Sequence, residues 1–354
     1  SKESSVSLMI HRLLSAKADG GNRARCADAT DGLRRARWAA IDARGAMVAA
    51  TRRGRAISAR QDIMRDWDDH YWWSHDGVRL HARIYAGPKG SEAAPPILCM
   101  PGLARNARDF EALAPHMAAK RRVIVAEFRG RGESAYAKDP MTYVPLTYVQ
   151  DVVALLDELA IERFATVGTS LGGLVSMLLA ATQPGRIVGA VLNDVGPELE
   201  KAGLDRIRDY IGAGGSQPTW IHAARAYGEL NAAIYPAYDI HDWLRITKRT
   251  HRLTQEGRIV TDYDKQIAAP LRVPNGGDAG VDLWPAYQAL GDVPVLILRG
   301  ALSDIVSAGA ARKMADALPK ARLVEVPHVG HAPTMDEGEA RTAIDMWISD
   351  LPPT

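Results

Sequence analysis

The sequence predicts an α/β architecture, a mostly parallel sheet with helices on both faces, interrupted once by an inserted helical lid. Three observations carry this. Short apolar runs at residues 97–100, 123–128, 164–167, 188–192, 293–298 and 323–326 alternate with helical stretches. Continuous apolar runs of this length are what strands buried on both faces look like. Ahead of them, Tyr71-Trp72-Trp73-Ser74, the turn His75-Asp76-Gly77 and the alternating residues 78–85 read as an antiparallel hairpin, which brings the sheet to eight strands. Finally, residues 197–290 break the rhythm: they hold Trp220, Tyr227, Tyr235, Tyr238, Trp243 and Trp284 but no clear strand.

The 354 residues thus divide into an N-terminal extension (1–62), a core in two pieces (63–196 and 291–354) and the lid (197–290). Residues 1–62 hold 13 Lys/Arg against 6 Asp/Glu, leaving 31 against 36 of the totals of 44 and 42 for the rest. The body is therefore mildly acidic, and no Lys/Arg cluster in it predicts a nucleic-acid face. The arginine-rich extension carries no legible function. Within the core, residues 147–160 form the clearest helix, with Val149, Val152, Val153, Leu155, Leu156 and Leu159 at apolar positions.

Cys26 lies in an Arg/Ala-rich stretch and Cys99 in an apolar run, so a structural disulfide is not expected; Cys99 reads as a buried small hydrophobe. No Cys-x-x-Cys or His-rich spacing suggests a metal. No run of about 18 apolar residues predicts a membrane span. The absence of a secretory pattern points to a cytoplasmic location.

Chemistry enters at Gly168-Thr169-Ser170-Leu171-Gly172, between the run 164–167 and a helical stretch. A sharp strand-to-helix turn needs glycine on both sides of the serine, and it lifts the serine hydroxyl out of the sheet. Such a hydroxyl is a weak nucleophile at neutral pH, so a base must take its proton and a third group must hold the base in one tautomer. His331, in the loop Gly330-His331-Ala332-Pro333 after the last strand, is placed to reach back; His328 is its competitor. For the acid, Asp304 follows the strand ending near Leu298 and gives the chain order Ser, Asp, His. Asp194, after the strand 188–192, is the rival. Acyl transfer also needs two backbone donors for the oxyanion. Leu171, directly after the nucleophile, and Leu103, in Met100-Pro101-Gly102-Leu103-Ala104, are the candidates.

These blocks together resemble the α/β-hydrolase superfamily, in its lid-containing esterase, lactonase and C–C hydrolase-like branch, over roughly residues 71–348. Glu127-Phe128-Arg129-Gly130-Arg131-Gly132-Glu133-Ser134 resembles the family's D-x-R-G-x-G-x-S loop, with glutamate in the aspartate's place. Where the family usually shows His-Gly in the oxyanion loop, this chain has Pro101-Gly102. The resemblance implies an α/β-hydrolase fold and a two-step hydrolysis of a carboxylic ester or lactone through an acyl-enzyme, with no cofactor and no metal. A small-molecule substrate would be met by the lid and neighbouring loops, with Arg105, Asn106, Trp220 and Tyr235 as candidate contacts. A C–C bond hydrolase or acyltransferase with the same triad, and a non-catalytic binding module, are the alternatives.

Overall fold

The computed structural model describes residues 66–273 and 281–353; the extension expected at 1–62, and Cys26 in it, lie outside the described residues. Strands, in chain order, are β1 (Asp68–Trp73), β2 (Arg79–Tyr85), β3 (Ile97–Met100), β4 (Val123–Glu127), β5 (Phe164–Thr169), β6 (Ile187–Asn193), β7 (His251–Leu253), β8 (Ile259–Thr261), β9 (Val295–Gly300) and β10 (Ala321–Val326). Helices are α1 (Leu113–Ala118), α2 (Pro145–Glu158), α3 (Leu171–Thr182), α4 (Lys201–Tyr210), α5 (Trp220–Asn231), α6 (Ile240–Thr250), α7 (Ala269–Arg272), α8 (Trp284–Gln288), α9 (Ala308–Ala317) and α10 (Gly338–Asp350).

The apolar runs become the middle of an eight-stranded sheet in the order β1-β2-β4-β3-β5-β6-β9-β10. From β4 to β10 all pairings are parallel, and β1 and β2 join antiparallel at one edge. Every residue of β3, β4, β6 and β9 is buried, as continuous apolar strands require once helices cover the sheet. The edge strand β1 alternates instead: Trp72 is buried against the sheet and Trp73 faces out. Helix α2 starts on Pro145 and buries Tyr148, Val149, Val152, Leu155 and Leu156 along one stripe. Cys99 is buried in β3 as a free thiol whose acidity burial suppresses.

Between β6 and β9 the structure adds strands to the expected, largely helical segment. It holds α4 to α8, but also the antiparallel pair β7–β8, closed by a turn in which Gly257 adopts a φ of 73°. Gln217 extends this pair by bridging to Ile259. Three-residue strands around a Thr-Gln-Glu-Gly turn are too short for periodicity to reveal. Residues 66–354, this insert included, cluster as one unit. Among the described residues no helix is long and apolar enough to cross a membrane.

What the topology does for function is to gather loop ends. The chain leaves β3, β5, β6, β9 and β10 at the carboxyl edge of parallel strands, the edge where open α/β sheets present their ligands. Ser170, Asp194, Ser303 and His331 all lie just past these strand ends.

Candidate active site

Thr169 ends β5 and Leu171 begins α3, so Ser170 turns the chain within one residue, at φ 51° and ψ −113°. A non-glycine residue there is strained. The turn holds because Ser170 N–H donates to the Asn193 carbonyl at 2.9 Å, and because residue 172 has no side chain: a Cβ on Gly172 would lie 2.0 Å from the Met100 carbonyl oxygen. The glycines of the motif therefore admit the end of β3 beside the helix start.

His331 stands opposite. Its Nε2 is 2.9 Å from Ser170 Oγ and its Nδ1 is 2.7 Å from Asp194 Oδ2. Asp194 leaves β6 with a φ of 55°, a conformation that aspartate tolerates better than most residues. Its carboxylate is fully buried, with a side-chain exposure of 0%. Oδ1 accepts from Gly300 N–H at 2.9 Å, and Oδ2 also accepts from Ser303 Oγ–H at 2.6 Å. An ionised carboxylate only accepts, so the proton between it and His331 sits on Nδ1, leaving the Nε2 lone pair to face the serine hydroxyl.

The acid is thus where the expectation must be corrected. Asp304 makes no hydrogen bond to His331; Arg206 of α4 takes it in a fork, Nε to Oδ2 at 2.6 Å and Nη2 to Oδ1 at 2.8 Å. Helix α4 comes this close because Gly203 presents no side chain: a Cβ there would sit 2.3 Å from the Asp304 carbonyl oxygen. Burial raises the Asp304 carboxyl, but the hydrogen bonds and charge of Arg206 outweigh it and hold it below its ordinary range. Strand order could not separate the two aspartates, since both follow parallel strands; the partner supplied by the insert does. His328 is exposed at the turn after β10, and among the described residues it makes no hydrogen bond to this pair.

The loop bearing His331 is tied down on three sides. Gly330 N–H donates to the Ile234 carbonyl at 2.7 Å. Tyr235 Oη donates to the Ala332 carbonyl at 2.7 Å, and Asn193 Nδ2 to the Pro333 carbonyl at 2.8 Å. Burial pushes the Tyr235 phenol well above its ordinary value, so it remains a donor. Tyr235 therefore lies beside the site, but its hydroxyl holds the loop.

The loop after β3 borders the nucleophile: the Cβ position at Gly102 lies 3.8 Å from Ser170 Cβ and 3.3 Å from Arg105 Cγ. Leu171 is the first residue of α3, whose leading N–H groups have no partner within the helix. Leu103 is held through its carbonyl by Arg131 Nε at 2.8 Å. Arg105 spends Nε and one Nη2 hydrogen on Asp109 and one Nη1 hydrogen on Tyr227 Oη at 3.0 Å. One hydrogen on each terminal nitrogen remains, and the side chain is 21% exposed. Asn106, by contrast, is fully buried: it caps the turn of residues 107–110 by accepting from Arg108 N–H, and its Nδ2 donates to Asp262 Oδ2 of the insert at 3.4 Å. Trp220 is half-buried at the start of α5, and among the described residues no hydrogen bond or ring contact links it to Ser170 or His331. Sequence reasoning passed over Ser303 and Tyr227, small parts of segments it had singled out for other members. Among the described residues no cluster of His, Cys, Asp or Glu is arranged to hold a metal ion.

A sequence profile of the alpha/beta hydrolase fold family matches residues 95–338. The chain is 34% identical over 256 residues to a 3-hydroxybutyrate-oligomer hydrolase of Cupriavidus necator, covering 69% of this chain and 85% of that protein. A 2-(acetamidomethylene)succinate hydrolase of Mesorhizobium japonicum is 30% identical over 249 residues, with 70% and 86% covered. Among solved structures, an alpha/beta hydrolase from Novosphingobium aromaticivorans superposes with a TM-score of 0.78 at 53% identity, covering 81% of this chain and all of that one.

Proposed function

Because this chain belongs to the α/β-hydrolase fold family, we propose that it is a serine hydrolase that cleaves a carboxylic ester through an acyl-enzyme on Ser170. The observation that carries this is the unbroken line from Asp194 through His331 to Ser170, at 2.7 and 2.9 Å. In this reading His331 Nε2 takes the hydroxyl proton as Ser170 Oγ attacks the ester carbonyl. Asp194 stabilises the imidazolium without taking the proton. The Leu171 and Leu103 amides receive the oxyanion. His331 then gives the proton to the departing alkoxide, and water repeats the sequence to release the acid.

For the substrate, the relative from Cupriavidus necator is named for oligomers of a short hydroxy acid, whose repeating unit carries an ester every few atoms. The loop after β3, which carries Arg105 beside Ser170, suits such an oxygen-rich chain. Arg105 and Asp109 form a nearly neutral pair, and the two guanidinium hydrogens left over fit carbonyl or hydroxyl oxygens. In this reading the insert acts as a lid, with Tyr227 and Tyr235 joining it to the oxyanion loop and the histidine loop. We therefore favour short hydroxy-acid esters, linear or cyclised as lactones.

The test is hydrolysis of 3-hydroxybutyrate dimer and trimer, a p-nitrophenyl ester series and simple lactones by the wild type and by Ser170→Ala. We expect the variant to lose at least about 10⁴-fold in kcat while still folding. Retained turnover would dismiss Ser170. A wild type active on p-nitrophenyl butyrate but not on the hydroxybutyrate dimer would keep the chemistry and discard the substrate class.

A further inference from the structure

Two arginines leave the loop after β4, two residues apart, and their surroundings are opposite. Arg129 is 1% exposed and saturated with negative charge: Nε and Nη2 reach Asp151 at 2.8 and 2.6 Å, while Nη1 and Nη2 reach Asp76 at 2.7 and 2.9 Å. Arg131 is 0% exposed, yet among the described residues no carboxylate lies within ion-pair range of it. Its partners are neutral. Nε donates to the Leu103 carbonyl at 2.8 Å, and Nη1 to the Arg129 carbonyl at 2.6 Å and to Tyr148 Oη at 3.1 Å. The rings of Tyr143 and Tyr148 flank the guanidinium at 5.5 and 5.1 Å. Nη2 is buried without a hydrogen-bond partner among the described residues.

A buried cation without a counter-ion is costly, and in a dry site it acts strongly on any negative charge that forms nearby. Here the nearest functional element is the oxyanion loop. Pro101 offers that loop neither a side-chain donor nor an N–H, so its brace must come from elsewhere.

We propose that Arg131 is the positioning residue of the oxyanion hole: it fixes the loop through the Leu103 carbonyl and lends an uncompensated positive charge to the tetrahedral intermediate. It does so without touching substrate. Arg129, neutralised by two aspartates, has no such influence and serves the fold. The inference rests on the serine-hydrolase reading given above.

The experiment compares wild type, Arg131→Met and Arg131→Lys on p-nitrophenyl butyrate for kcat, KM and inhibition by a boronic acid, whose adduct on Ser170 is tetrahedral and anionic. Arg131→Met should lose about 10²-fold in kcat, the effect of removing one oxyanion donor, with KM within about threefold of wild type. Boronate affinity should fall by a factor comparable to kcat. Arg131→Lys, which keeps the charge, should lose less than Arg131→Met. Unchanged kcat, or a lower kcat with boronate affinity intact, would overturn the assignment, because a merely structural residue would not weaken the anionic adduct selectively. Should Arg131→Met fail to fold, Tyr148→Phe takes its place: it removes one anchor of Nη1 and should lower both quantities about threefold, and no change in either would sink the idea. Absence of both ester turnover and Ser170 labelling by a fluorophosphonate in the wild type would instead overturn the hydrolase reading, and this inference with it.

Discussion

Among the described residues two imidazoles are hydrogen-bonded through Nδ1 to a buried carboxylate, and only one of them turns its other nitrogen to a hydroxyl. His331 reaches Asp194 at 2.7 Å and His81 reaches Glu127 at 2.8 Å. What differs is the other nitrogen. Nε2 of His331 faces the hydroxyl of Ser170, which can donate. Nε2 of His81 faces Asp69 at 3.0 Å, which as a carboxylate can only accept. Both nitrogens of His81 must therefore carry hydrogens, and the ring is held as a cation. Burial pulls His81 down, but the hydrogen bonds and charges of Glu127 and Asp69 prevail and raise it above its ordinary value of 6.5. A His–carboxylate pair becomes a base only when its far side is left to a donor.

The sharpest way to break this comparison is at Asp194. Asp194→Asn leaves the packing nearly intact but presents a donor where His331 needs an acceptor, so the ring adopts the wrong tautomer. We expect kcat to fall by about 10⁴-fold. Asp304→Asn should cost less than about threefold, since its partner is the half-exposed Arg206, at 31%. Comparable losses in the two variants would restore Asp304 to the site. The same pair of residues shows why the proposed triad was only partly legible. Ser170 and His331 each sit in a loop whose glycines mark its purpose, whereas Asp194 and Asp304 follow their strands alike. The deciding fact, Arg206 on α4, lies about 100 positions before Asp304 and depends on how the insert packs.

Next in size is His81→Gln. Truncating one member of a buried charge group costs about 3 kcal/mol, which we expect to appear as a lower unfolding midpoint with kcat unchanged in the folded fraction. The pH dependence carries its own sign. Because the folded value of His81 is raised, its contribution to stability is complete below pH 6.5 and is lost as pH rises through the folded value. Glu127 works the other way. Burial raises it, yet His81 and the Ala107 and Glu133 amides hold it below 4.5, so its contribution is lost as pH falls through the folded value. Chemical unfolding followed from pH 5 to 9 should show His81→Gln with the alkaline slope removed. A wild-type slope retained in the variant would mean that the cation lies elsewhere.

The sheet was the most legible part of the chain. Parallel strands buried on both faces leave long apolar runs, and six of these appear within three residues of their observed bounds. The hairpin β7–β8 left no such mark, because two strands of three residues each are too short for a period to show. Side chains that act through backbone groups were the hardest to see. Nothing in the letter sequence shows that Ser303 has its only proton aimed at Asp194 while it accepts from Ile305 and Val306 N–H. Ser303→Ala tests that arrangement. It removes one of the three donors to Asp194, and we expect about a tenfold loss of kcat, the worth of one hydrogen bond to a charged group. An unchanged kcat would show that Gly300 and His331 alone fix the carboxylate.

The smallest expected effect concerns what the insert contributes to the base. Ile234 and Tyr235 are consecutive, and they bond to the residues on either side of His331: the Ile234 carbonyl receives Gly330 N–H, and the Tyr235 hydroxyl donates to the Ala332 carbonyl. Among the described residues no equivalent clamp from the insert reaches His81. Tyr235→Phe keeps the ring, which stacks on Tyr238 at 4.6 Å and meets Trp243 edge-on at 6.1 Å, and deletes only the hydroxyl. The net worth of such a bond is about 1 kcal/mol. If it holds His331 in register with Ser170, kcat should fall about threefold to fivefold with KM nearly constant. A raised KM with kcat intact would instead place the hydroxyl in contact with substrate, and would make the insert a binding surface before it is a brace.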